Sequence, residues 1–197
     1  MPDDAPDLIY DRQGHTVVLT MNRPARRNAL SLDMLVRFAD AWDAIDADDS
    51  IRSVILTGAE GSYCVGGDLD SGWMAGNRSA NPSENETRAM DNPALIGRGL
   101  LLSSWLHTPI IAVVNGDCMG GGCEMLQQTD IRVAEEQARF AVPEARRGLH
   151  DALEAADPLC RRDGDASHRA HPGRRRGLAM GIGDARRPQG GGTRERP

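Results

Sequence analysis

Ile110-Ile111-Ala112-Val113-Val114-Asn115-Gly116-Asp117-Cys118-Met119-Gly120-Gly121-Gly122-Cys123-Glu124 reads as a buried strand, a glycine turn and the start of a helix. An unbroken apolar run of five residues suits a strand covered on both faces, as in parallel sheets. The glycines then punctuate the chain and permit tight turns. Upstream, Thr16-Val17-Val18-Leu19-Thr20-Met21 reads as a strand, and Leu32 to Ile45 carries apolar residues at helical spacing behind Ser31 as N-cap. Val54-Ile55-Leu56 predicts another strand and Leu95 to Leu106 another helix, while the polar stretch from Gly76 to Asn92 reads as a mobile loop. Short buried strands alternating with helices define an α/β class.

The 197 residues carry a formal charge of −6, which gives no general basic footprint for nucleic acid. No apolar run approaches the length needed to cross a bilayer, and Met1-Pro2-Asp3-Asp4 is acidic where a signal peptide is basic, so a cytoplasmic location is expected. Cys64, Cys118, Cys123 and Cys160 form no CxxC pair. They are expected to be reduced and mostly buried, with neither a disulfide framework nor a metal site. Tyr63, Trp73 and Trp105 are assigned to packing, as are His15 and His107, neither of which sits in a motif.

The character of the chain changes near Leu149. Residues 150–197 contain no aromatic side chain, eight glycines and ten arginines, and no lysine occurs anywhere in the chain. With ten Arg against seven Asp and Glu this segment has a charge of +3. It has too little apolar surface to offset its conformational entropy and is expected to be a largely disordered tail. Two domains of reading follow: 1–149 as a folded core and 150–197 as an Arg/Gly-rich tail.

Candidate chemistry lies in the core. Glu124 closes the glycine motif, Glu144 closes Phe140-Ala141-Val142-Pro143-Glu144, and Gly66-Gly67-Asp68 forms another glycine turn after an apolar run. Two carboxylates near one water can perform acid and base work in a single turnover when their environments separate their pKa values. A backbone N–H from each glycine turn can face a developing oxyanion. Taken singly, a Glu in a first helical turn often only complements the helix dipole, and Pro-Glu is a common surface turn.

Together these residues resemble the crotonase superfamily, the enoyl-CoA hydratase and isomerase group. The resemblance runs from about Leu8 to Leu149. It rests on Asn22-Arg23-Pro24 with Asn28-Ala29-Leu30, on Gly66-Gly67-Asp68-Leu69, on Pro109 through Glu124, and on Asp130-Ile131-Arg132-Val133-Ala134 leading to Pro143-Glu144. It implies a crotonase-like fold of repeated ββα units, with Gly67 and Gly121 N–H groups as the oxyanion hole for a thioester carbonyl. It further implies Glu144 as proton donor to the α-carbon and Glu124 as base, the two titrating as a coupled pair. Arg26 and Arg27 fall where the family contacts coenzyme A, and the resemblance further implies Asp68 and Leu69, beside the oxyanion glycine, as substrate-binding residues together with Gly67 and Gly121. The implied substrate is an acyl-CoA thioester, coenzyme A being part of the substrate and no separate cofactor being needed. The implied assembly is a homotrimer or hexamer, with no nucleic-acid or membrane partner, and the implied setting is fatty-acid β-oxidation. Carboxylates at both positions favour hydration of a trans-2-enoyl-CoA over double-bond isomerisation, which needs one base. A non-catalytic acyl-CoA-binding remnant is the alternative from a different class.

The resemblance stops after Gly148-Leu149, where the family continues into roughly a hundred mostly helical residues. Residues from about His150 onward read as the product of a shifted frame: codons for Leu159 to His171 and for Met180 to Pro188, read one base later, can encode peptides like the family's helical region. The expected consequence is a chain with a hydratase's chemical groups but low or no turnover, because water entering a half-built pocket weakens the oxyanion donors.

Overall fold

The computed structural model describes residues 5–77, 79–103 and 105–143. Two strands, β1 (Leu8–Gln13) and β2 (Thr16–Met21), form an antiparallel hairpin whose turn includes Gly14 at φ +64°. The 15-residue helix α1 (Leu32–Asp46) follows, with the Ser31 hydroxyl accepting from the Met34 N–H as a cap. Its buried face includes Met34, Leu35, Phe38, Trp42 and Ile45, the i, i+4 and i+7 spacing read from the sequence. Then come β3 (Ser53–Gly58) and β4 (Ser62–Cys64), α2 (Glu84–Asp91), α3 (Ala94–Gly99), β5 (Ile110–Val114), β6 (Asp117–Met119), α4 (Gly121–Gln127), β7 (Ile131–Ala134) and β8 (Phe140–Ala141).

After the β1-β2 hairpin, which lies wholly in the larger sheet, each successive strand pair adds one strand to each of two sheets. The larger has the order β1-β2-β3-β5-β7 and is parallel from β2 onward; the smaller has the order β4-β6-β8 and is parallel throughout. The core is filled by Val17, Leu19 and Met21 of β2, Val54 and Leu56 of β3, Ile110, Ala112 and Val114 of β5, and the apolar face of α1. The residues following β4 and β6 meet at a common corner, where a Cβ on Gly66 would lie 3.1 Å from the Met119 carbonyl oxygen.

Three expectations need correction. The stretch from Gly76 to Asn92 contains α2, started by a capping box in which the Ser83 hydroxyl accepts from Glu86 N–H and the Glu86 carboxylate accepts from Ser83 N–H. The helix expected to reach Leu106 ends at Gly99, because Leu101 turns left-handed (φ +58°) and Leu102 N–H donates back to Gly97 C=O at 2.9 Å, a Schellman closure. Trp105, His15 and His107, expected to pack, are exposed, Trp105 by 52%, because the two imidazoles are held at the surface by Ser50 C=O and by Asp46; Tyr63 is fully buried. Cys64, Cys118 and Cys123 are buried, as expected. Glu144, Cys160, the tail and its frame-shift reading lie outside the described residues.

Candidate active site

The first glycine turn is held by a single parallel bridge between Gly67 and Leu30. Leu30 N–H donates to Gly66 C=O at 2.8 Å, and Asp68 N–H donates to Leu30 C=O at 3.0 Å. Successive peptide groups of an extended strand point to opposite sides. With its neighbours committed to Leu30, Gly67 therefore directs its own N–H away from that strand.

The second turn stands on that side. A Cβ built on Gly121 would lie 4.0 Å from Gly67 N, and one built on Gly66 would lie 3.3 Å from Gly121 N. Gly66 also has φ +91°, and a Cβ on Gly122 would strike the Cys64 carbonyl oxygen at 2.5 Å. Glycine at these two positions is what lets the turns approach so closely. Gly121 opens α4, so its N–H has no intrahelical partner. Among the described residues neither Gly67 N–H nor Gly121 N–H is engaged by another protein group.

Glu124 is in the first turn of α4, half-buried, three residues beyond Gly121. Gly120 N–H donates to Ala141 C=O at 3.0 Å, which ties the glycine turn to β8 just before Pro143-Glu144. The structure thus brings together Gly67 and Gly121, with Glu124 one turn along α4 from the latter. The thiols of the buried Cys118 and Cys123 lie 3.7 Å apart, and burial pushes the Cys64 thiol up to about 12.

The remaining expected residues divide. Arg26 ends a short 3₁₀ turn and is half-exposed in an ion pair with Asp70; Arg27 is exposed at φ +50°. Leu69 is 66% exposed. Asp68 is only 6% exposed and its carboxylate is engaged by protein donors: Oδ1 accepts from Asp70 N–H and Ser71 N–H, and Oδ2 accepts from Arg23 at 2.8 Å. Burial opposes the Asp68 charge, but these hydrogen bonds and the Arg23 charge outweigh it and hold the carboxyl below its ordinary value.

Arg23 stands in the sequence only as the middle of Asn22-Arg23-Pro24. Its guanidinium lies among Asp68, Ala29 C=O (2.7 Å) and Asp7 (3.3 Å). Asn28, fully buried at φ +57°, accepts from Arg23 N–H and donates to Ala59 C=O and Ser62 C=O. The Asn-Arg-Pro and Asn-Ala-Leu spacing was the available signal, since it marks a turn built on side-chain to backbone bonds.

Two sheets growing by ββα units, with two glycine turns facing one another at their shared corner, define a crotonase-like fold. The chain belongs to the enoyl-CoA hydratase/isomerase family, whose model matches residues 11–171. It is 43% identical over 148 residues to enoyl-CoA hydratase EchA19 of Mycobacterium tuberculosis, covering 75% of this chain and 53% of the relative. It is 38% identical over 135 residues to mevalonyl-coenzyme A hydratase sidH of Aspergillus fumigatus, covering 68% and 47%. A solved structure from Mycobacterium abscessus, provisionally assigned as an enoyl-CoA hydratase/isomerase, superposes with a TM-score of 0.59 at 54% identity, over 72% of this chain and 49% of that one. The chain thus spans about half the length of the curated relatives it matches.

Proposed function

We propose that this chain carries the hydration chemistry of an enoyl-CoA hydratase acting on a trans-2-enoyl-CoA thioester. The observation that supports this most is the pair of unengaged N–H groups, Gly67 and Gly121, on turns within contact distance of each other. The thioester carbonyl oxygen accepts from both. As water adds to the β-carbon, negative charge gathers on that oxygen as an enolate, and each donor contributes on the order of 3 kcal/mol where water is excluded. Glu124 and Glu144 hold the water between them. Glu124 removes one proton as hydroxide character passes to the β-carbon, and Glu144 gives a proton to the α-carbon, so H and OH add to the same face of the double bond. The product is a 3-hydroxyacyl-CoA. Arg26 and Arg27, both exposed, provide cations for the coenzyme A phosphates in this reading, where a guanidinium suits bidentate pairing.

Following loss of the conjugated enoyl-thioester absorbance with crotonyl-CoA tests this reading. Slow turnover, abolished in Glu124→Gln and in Glu144→Ala, is the expected outcome. Equal rates in the unsubstituted chain and both variants would refute it.

A further inference from the structure

Gly67 is useful as a donor only while its peptide keeps its orientation, and one side chain spans both halves of the bridge that fixes it. The Arg23 Nη1 donates to Ala29 C=O at 2.7 Å, one residue before Leu30, and Nη2 donates to the Asp68 carboxylate at 2.8 Å, one residue after Gly67. The same guanidinium lies 3.3 Å from Asp7, which in turn accepts the Ser31 hydroxyl at the cap of α1. Asp68 uses its other oxygen to hold Asp70 N–H and Ser71 N–H, closing the backbone that leaves Gly67. Trp73 Nε1–H joins the bridge by donating to Leu30 C=O at 3.1 Å.

We propose that Arg23 and Asp68 are positioning residues for the oxyanion site, a clamp that sets the direction of the Gly67 N–H without touching the substrate. The proposal rests on the hydratase reading above. Placement supports it over simple stabilisation. Ion pairs this buried (side-chain exposures of 19% and 7%) add little net stability compared with apolar residues of equal volume. This one is attached to the two backbone segments that flank a single catalytic donor. The fork geometry is also specific: an ammonium is a point donor on a flexible stem and does not hold two separate acceptors in a fixed plane.

The test uses the full 197-residue chain and a cinnamoyl-CoA carrying a para-dialkylamino group, whose absorbance moves to longer wavelength when its carbonyl oxygen is hydrogen-bonded. The unsubstituted chain is expected to bind the probe and redden it. Asp68→Asn retains an acceptor for Asp70 and Ser71 N–H but sets an amide against Arg23, and Arg23→Lys retains the charge without the fork. Both are expected to bind the probe with little change in affinity while losing most of the red shift, and to lower crotonyl-CoA kcat by about 100-fold at nearly constant KM, the effect of misplacing a group by about 1 Å. Arg12→Lys, which changes an exposed ion pair with Asp48, is expected to leave the shift intact.

A full red shift in folded Asp68→Asn and Arg23→Lys would overturn the clamp while leaving the hydratase reading standing. Failure of both variants to fold, judged by circular dichroism, would also overturn it by making the pair structural. An unsubstituted chain that fails to bind the probe, or binds it without reddening, would remove the hydratase reading itself and the clamp with it.

Discussion

Asn28 is the residue whose removal should damage the corner most, and the size of the effect follows from its surroundings. Its side chain makes three hydrogen bonds: from Arg23 N–H at 2.9 Å, to Ala59 C=O at 2.8 Å and to Ser62 C=O at 2.7 Å. Truncation to alanine strands backbone groups at three places simultaneously. A typical buried bond contributes about 1 kcal/mol net, so the loss is about 3 kcal/mol if water reaches part of the gap. The backbone adds a further term, because Asn28 has φ +57°, where asparagine is tolerated and alanine costs about 1 kcal/mol more. Asn28→Ala should therefore lose about 4 kcal/mol, and Asn28→Gly, which has no Cβ penalty, about 3 kcal/mol. Against a usual domain stability of about 5–15 kcal/mol, either loss is large. Urea unfolding followed by tryptophan fluorescence measures both, with the shift in midpoint read at constant slope. A loss below about 1 kcal/mol for alanine would refute the hydrogen-bond argument. Glycine as damaging as alanine would refute the backbone term.

Gly122→Ala is expected to force Cys64 and α4 apart, since the new Cβ would stand 2.5 Å from the Cys64 carbonyl oxygen; overpacking of this kind costs about 1–3 kcal/mol, read by the same unfolding assay. Trp42→Phe should lose about 1 kcal/mol by stranding Gly99 C=O, which accepts the indole N–H at 3.0 Å, while keeping an aromatic ring against Phe38. Asp68 has a carboxyl held below its ordinary value of 3.8, so its contribution to stability is complete above that value and disappears as pH falls through the lower folded-state value; Asp68→Asn should flatten this acid limb in a pH series of unfolding midpoints. Cys64, Cys118 and Cys123 should react with a thiol reagent only on unfolding, because burial keeps the Cys64 thiol protonated and, for Cys118, the hydrogen bond with Cys123 together with burial does the same.

Strands β2, β3 and β5 of the larger sheet were legible because they announce themselves as apolar runs, and α1 because its apolar spacing and Ser31 cap agree; β1 and β7, mostly exposed and mixed with polar residues, carry no such run. The smaller sheet was harder to see. Phe140–Ala141 is two residues long, and its strand character comes from pairing with Cys118 and Met119, which local sequence does not encode. The Schellman stop after Gly99 was invisible because leucine at 101 adopts a left-handed conformation that propensity assigns to glycine; the turn is imposed where Gly99 packs so tightly on Leu35 that a Cβ would lie 2.3 Å from its carbonyl oxygen. The Ser83 and Glu86 capping box, in contrast, was present in the sequence and outweighed the polar composition that suggested a loop. In the site, the two glycine turns were readable as motifs. Arg23 was not, because its partner Asp68 lies 45 residues away and only the fold makes them neighbours.

The most direct measurement of the proposed activity is to incubate the full chain with crotonyl-CoA in D₂O and read the product by proton NMR. Hydration should give 3-hydroxybutyryl-CoA with one deuterium at C2 and the hydroxyl at C3, formed only when Glu124 and Glu144 are both intact. A migrated double bond without hydroxyl, or hydration that persists in Glu144→Ala, would contradict the two-carboxylate mechanism.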